Sequence, residues 1–418
     1  MRVIVALDGP HADRVAGELR TAGHEVLLVL PTAAVAREAG VPGTRLQEAL
    51  PAADVLVVAA VRGVLSQTLV GACDRHAVRI VALATRPAQE RLARAFGLAG
   101  PLPLDADGGE IAAAAAGAIP AHAPSPAGRI IVVWGSAGAP GRTTVATELA
   151  AALGTGGRRA ALVDADTHAP AVAVALGLEE ESPGIAAACR RAASGDVDAA
   201  ELTRVSVPLG TPGIDVDVLT GLNRPSRWPE LSAPRLAAVL DACRSWAENV
   251  VVDIAAPLER DEEIVSDLDG PRRNAAALAA LEQADLVIAV ASADPVGMAR
   301  FVRAHAELRA LVGAVPVQVV VNRLRTGALG IDARGQVRRT LERFSGVGDV
   351  AFVPHDPRAA DAALLAARPV AEVAPRSALA QGIRRLAARL DASAGGRAAR
   401  PERAQEPVVA RRRRRQAA

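Results

Sequence analysis

Apolar residues along the first 118 positions fall in short runs separated by amphipathic stretches. Val3 to Leu7, Glu25 to Leu30, Asp54 to Ala60 and Val78 to Ala84 have the length and near-continuous apolarity of strands buried on both faces. Between them apolar positions return every three or four residues, around Ala12 to Ala22, Leu65 to Arg75 and Ala88 to Phe96, which predicts helices. Alternation of this kind predicts a doubly wound parallel sheet. Ile119 to Gly128 is Pro-rich, lacks periodicity and reads as a linker. A second alternating series begins at Arg129 with the run Ile130 to Trp134 and continues to Asp391. Further strands are expected at Ala160 to Val163, Asp215 to Leu219, Val250 to Asp253, Leu286 to Ala291, Val317 to Val321 and Val350 to Val353. The expected fold class is α/β, with two doubly wound parallel-sheet domains at 1–118 and 129–391, and a basic tail at 392–418 whose composition predicts disorder.

Composition sharpens this in three places. A chain of 418 residues with 50% hydrophobic and 22% charged residues can bury two or three cores and leaves little room for extended disorder. Its net charge of +2 is unevenly placed, because residues 397–418 hold eight Arg against two Glu. The chain contains neither Lys nor Tyr, which excludes any mechanism built on a catalytic Lys or Tyr. Cys73, Cys189 and Cys243 form no CxxC pair and read as buried thiols in a reducing compartment. The chain opens directly into a strand-like run, and no apolar run approaches the roughly 20 residues of a spanning helix, so a cytoplasmic location is expected.

Candidate chemistry gathers after the first strand of the second series. Gly135-Ser-Ala-Gly-Ala-Pro-Gly-Arg-Thr-Thr144 lies between that strand and a helical run starting near Thr143. A Gly-rich turn there lets backbone N–H groups converge on a phosphate at the positive end of the helix dipole. The hydroxyl after the basic position, here Thr143, can ligate Mg2+. The strict G-x-x-x-x-G-K-[ST] pattern is not met, since Ser136 replaces the first Gly and Arg142 the Lys. A dinucleotide loop stays open as a rival, because Gly135, Gly138 and Gly141 make G-x-x-G-x-x-G and an acidic pair follows about 25 residues on. Asp164 and Asp166 close the next strand and Asp253 a later one, and strand C-termini in a parallel sheet share one edge with such a loop.

These residues resemble the MinD/ParA family of deviant-Walker ATPases, and more narrowly its CpaE/TadZ branch, associated with Tad-type pilus assembly. The resemblance implies that Gly138, Ala139, Pro140, Gly141, Arg142, Thr143 and Thr144 contact ATP, with Asn322, Arg323 and Pro354 on the adenine side. It implies Mg2+ served by Thr143, Asp253 and Asp164, and Asp166 orienting the attacking water. It also implies a homodimer, assembly proteins of a pilus or secretion machine at the inner membrane as partners, and a receiver-like first domain. Receiver chemistry is missing there, because the third strand ends Val58-Ala-Ala60 where a phosphoacceptor Asp would stand.

Two departures bear on turnover. The family's signature Lys would fall at Ala137, and Arg142 replaces the loop Lys. Moreover, Asp253-Ile-Ala-Ala-Pro257 lacks the Gly that usually follows the metal-binding aspartate. The expectation is nucleotide binding with weak or absent hydrolysis; a chromosome-partitioning ATPase and a nucleotide-free scaffold remain alternatives. Leu379, Ile383, Leu386 and Leu390 recur at helical spacing beside arginines, which suits either a last helix on the sheet or a peripheral membrane contact. Arg411 to Arg415 could meet anionic lipid or DNA. Trp228 marks either a partner surface or a core edge, and His168 and His355 read as loop residues.

Overall fold

The computed structural model describes residues 1–98, 100–116, 128–178, 183–195, 197–259, 272–327 and 330–395. The expected linker, Gly128 apart, and the tail beyond 395 lie outside the described residues.

The first series forms β1 (Arg2–Ala6), β2 (Glu25–Leu30), β3 (Val55–Ala59), β4 (Arg79–Ala84) and β5 (Leu102–Pro103). They pair in the order β2-β1-β3-β4-β5, all parallel, which is the flavodoxin-like order. Val3, Ile4, Val5, Leu56, Val57 and Val58 are almost wholly buried, as strands covered by helices on both faces must be. Glycine or proline opens the helices Gly9–Thr21 and Pro87–Ala95, and Cys73 is buried in Gln67–Arg75. β5 has only two residues, too few to carry a period, and was not expected.

The second series forms β6 (Arg129–Gly135), β7 (Ala160–Ala165), β8 (Val207–Pro208), β9 (Val216–Leu219), β10 (Asn249–Ile254), β11 (Leu286–Ser292), β12 (Val317–Leu324) and β13 (Val350–Pro354). Their order is β13-β12-β11-β6-β10-β7-β9-β8, parallel throughout except that β8 runs antiparallel at one edge. Every strand expected in this series is present, several lengthened by one to three residues. The two-residue β8 was missed for the same reason as β5. One face of the sheet packs Trp134, Trp246 and Phe301, and the other packs the helices Arg142–Leu153 and Ala378–Gly395. The indole of Trp134 donates to the Ala256 carbonyl, tying β6 to the segment after β10.

Leu379, Ile383, Leu386 and Leu390 are all buried against this second face, so the last helix spends its apolar stripe on the sheet. That helix runs four residues past the expected boundary at Asp391. No described helix is long and apolar enough to cross a membrane. Trp228 lies on a short 3-10 helix, half-buried against the core. Burial pushes the Cys73 and Cys189 thiols up to about 12 and the Cys243 thiol higher still, consistent with inert core residues.

The two sheets meet along a polar seam. Arg91 pairs with Asp215 at 2.5 Å and with Asp217 at 2.9 Å, and Arg159 contacts the same Asp217 oxygen at 3.2 Å. Arg62, just past β3, donates to the Thr203 and Arg204 carbonyls. The C-terminal strand edge of the first sheet therefore faces the second part of the chain, across a cavity of about 900 Å3 lined by Arg62, Arg86, Asp215 and Arg368.

Candidate functional site

β6 ends at Gly135, where a side-chain carbon would press to 2.7 Å of the Val290 carbonyl on β11, so only glycine lets the chain turn out of the sheet here. The loop then passes through left-handed backbone at Gly138 (φ 104°), Ala139 (φ 53°) and Gly141 (φ 92°) before the helix Arg142–Leu153 starts. For the two glycines this is free of side-chain strain; for Ala139 it costs of order 1 kcal/mol, carried by the surrounding contacts. Asn322 supplies one of them. Its Nδ2 donates to the Pro140 carbonyl at 2.9 Å and lies against Gly141, while its Oδ1 accepts the Arg323 N–H. Asn322 is thus engaged as a strut beneath the loop. A register shift between Val321 and Leu324 lets Arg323 stand exposed at φ 57°, with Pro354 beside it at the end of β13.

Arg142 folds back over the loop. One Nη donates to the Gly135 carbonyl at 3.1 Å and the other to Asp166 Oδ2 at 3.2 Å. This use of the planar fork on two acceptors is something a lysine ammonium cannot copy with the same geometry. Asp166 is held from its other oxygen, which accepts the N–H groups of His168 and Ala169. Thr167 and His168 anchor the same loop to Arg273 and Asn274, and His355 donates its backbone N–H to the Leu324 carbonyl.

Thr143 donates its hydroxyl to Asp253 Oδ2 at 2.6 Å. Asp253 is fully buried, and its Oδ1 has no partner among the described residues. Asp164 sits opposite it in the β7–β10 register and accepts three backbone N–H groups, from Asp166, Ala171 and Val172. Burial holds both carboxyls above the ordinary carboxylate range, reinforced at Asp253 by the charges of Asp164 and Asp166 and at Asp164 by that of Asp166; hydrogen bonds from Thr143 and the three N–H groups pull the other way. An orphaned carboxylate oxygen beside a hydroxyl is a hard-oxygen donor set that fits Mg2+. No group of three or more His, Cys, Asp or Glu among the described residues is arranged to hold a metal by itself, so such an ion would keep ligands from water or phosphate.

Residues 131–367 match the CobQ/CobB/MinD/ParA nucleotide binding domain, more than half of the chain. The chain belongs to this family. Among solved structures, a ParA family ATPase from Chlorobium tepidum TLS superposes with TM-score 0.52 at 18% identity, over 64% of this chain and 100% of that one. The cell division ATPase MinD of Pyrococcus furiosus gives 0.50 at 20%, over 64% and 99%. The septum site-determining protein MinD of Pyrococcus horikoshii OT3, complexed with Mg-ADP, gives 0.50 at 21%, over 65% and 98%. Identities this low show the shared fold alone. No curated protein matches the chain.

In this MinD/ParA-type domain the structure brings Arg142, Thr143, Asp164, Asp166, Asp253 and Asn322 together around one loop. Gly138, Ala139, Pro140 and Gly141 form the loop itself, Thr144 lies in the first turn of the helix behind it, and Arg323 and Pro354 stand apart on its β12–β13 side. Sequence reasoning missed Arg300, on the helix Pro295–Val312, whose guanidinium overlies Gly138. It is one of 48 basic residues, all of them Arg, so composition offers no signal that singles it out.

Proposed function

We propose that the chain is a nucleotide-dependent positioning or assembly protein, in which ATP with Mg2+ at the loop Gly135–Thr144 favours a homodimer that presents a surface to partners. The observation that carries this reading is the Thr143–Asp253 pair with its orphaned Asp253 Oδ1, set at the foot of a loop whose backbone turns through three left-handed residues. Backbone N–H groups of Gly138, Ala139 and Gly141 to Thr144 would take the phosphates, and Thr143 and Asp253 would hold the Mg2+, with Asp164 behind them. Mg2+ there would neutralise phosphate charge. Arg142 is poised to exchange its bond to Asp166 for phosphate oxygens, which would free the Asp166 carboxylate to orient water. Turnover is slow in this reading, because Ala137 offers no cation from the loop's start and Ala255 and Ala256 follow Asp253 where a glycine would allow closer backbone approach.

The CpaE/TadZ resemblance supports a role at a Tad-type pilus or related secretion machine, with the protein cytoplasmic or peripheral at the inner face of the membrane. The first domain would then be a receiver-like protein-binding module without phosphoacceptor chemistry, since β3 runs into Ala59 and Ala60, and Asp8 is spent on the backbone and hydroxyl of Thr32. The Arg-rich tail is the segment for lipid or DNA contact, and a partitioning role remains the second reading on that account.

Calorimetry with ATP and ADP in the presence of Mg2+, followed by a turnover assay, tests the proposal. Wild type is expected to bind both nucleotides and to hydrolyse ATP slowly, and Arg142→Ala and Asp253→Ala to weaken binding. Wild type silent at millimolar nucleotide would leave a scaffold with a relic site.

A further inference from the structure

The chain lacks a cation at Ala137, yet a guanidinium stands over the next residue of the loop. A side-chain carbon built on Gly138 would collide with Arg300 Nη1 and lie 3.5 Å from Arg300 Cζ. Arg300 is not loosely placed, because its helix is seated firmly at the end of β11. Asp294 caps it by accepting the Gly297 N–H at 2.8 Å, and Gly297 packs so tightly that a Cβ there would meet Ser292 Cβ at 2.8 Å. Met298, Phe301, His305 and Leu308 then bury one face in the core, which leaves Arg300 on the flank toward the loop. Burial opposes ionisation of Asp294, but Ser292, two backbone N–H groups and the Arg300 charge hold its carboxyl below the usual range. Arg300 itself is exposed and makes no hydrogen bond or ion pair among the described residues. Cations outside the loop behave differently: Arg159 and Arg244 are each tied to a carboxylate.

We propose that Arg300 is a phosphate-contacting residue: the second cation of the nucleotide site, supplied by the chain's own helix Pro295–Val312 to the Gly138 end of the loop. The ligand class is a nucleoside triphosphate, and the inference rests on the nucleotide reading of the loop given above. Arg142 and Arg300 then bracket the loop from Gly141 and Gly138, one half-buried and paired with Asp166, the other open to solvent. Because the cation comes from within one chain, the charge on the phosphates is met before any second protomer arrives. Dimerisation is thereby separated from phosphate recognition.

The test compares full-length wild type, Arg300→Ala, Arg300→Lys and the double variant Ala137→Lys/Arg300→Ala, with Mg-ATP and Mg-ADP as probes and melting temperature as the control for folding. Loss of a charge-assisted bond to phosphate is expected to weaken ATP binding by roughly tenfold or more, and ADP less. Arg300→Lys should recover part of the loss, and Ala137→Lys should recover binding from the other side of the loop. The salt dependence of ATP affinity should flatten in Arg300→Ala. Wild type that binds ATP while Arg300→Ala binds it equally well overturns this proposal and leaves the nucleotide reading standing. Wild type that binds neither nucleotide overturns both.

Discussion

The two sheets present the same kind of edge to very different ends. In each, parallel strands deliver their C-termini to one side, the place where open α/β sheets bind ligands. At the second sheet's edge stand a loop in left-handed backbone, a buried Thr143–Asp253 pair and the Arg142–Asp166 pair. At the first sheet's edge β3 runs into Ala59 and Ala60, Asp8 is committed to Thr32, and Arg62 reaches out to carbonyls of the second part. One edge keeps unsatisfied polar groups, which costs stability and leaves capacity for a ligand. The other has tied Asp8 and Arg62 to groups of its own chain and become a contact surface. Architecture alone would not separate them; the side chains at the strand ends do.

The contrast can be broken most directly with a matched pair of substitutions. Asp253→Ala should lower Mg2+-dependent ATP affinity by about a thousandfold, the several kcal/mol that a lost metal ligand represents, while Asp8→Ala should leave it unchanged. Equal losses in a titration of both variants would mean that the two edges are not functionally distinct.

Stability against pH should follow the second region in sign. Glu148, on the helix behind the loop, is pushed up to about 7 by burial, although the N–H groups of Val370 and Ala371 pull it down. Between its ordinary value near 4.5 and about 7 the folded state binds more protons than the unfolded state, so stability falls as pH rises through that window. The fall should amount to ~3 kcal/mol and flatten in Glu148→Gln, as read by denaturant midpoints across that range. Asp54 in the first region has the opposite sign: its bonds to the Arg2 backbone and side chain hold it low, so its contribution is lost only as pH falls into the acid range.

A smaller effect is expected at the seam. Arg91→Ala leaves the deeply buried Asp217 with Arg159 as its remaining cation, which should cost ~2 kcal/mol, less than full loss of a buried pair. Two separate melting transitions in that variant, against one in wild type, would show that the seam couples the two regions.

Much of the loop was legible because its requirements are local. Gly135 must avoid the neighbouring strand, and Gly138 and Gly141 must take positive φ, so glycines at that spacing after an apolar run are informative in one dimension. Asp166 and Asp253 were legible because strand ends in a parallel sheet share an edge. The strut role of Asn322 was not, because its partner Pro140 lies 182 positions away and the amide's orientation depends on a bulge in β12. β5 and β8 escaped because two residues show no periodicity.

What the sequence determined by itself is therefore the alternation of strands and helices, the glycine-permitted turn, and which carboxylates close which strands, since each follows from side-chain period or backbone freedom within a few residues. Tertiary structure alone decided which arginine lies at which end of the loop, that Asp253 keeps one oxygen without a partner among the described residues, and that one of two similar edges became a seam. Those outcomes depend on distances between residues far apart in the chain, and among 48 chemically identical arginines only packing tells one from another.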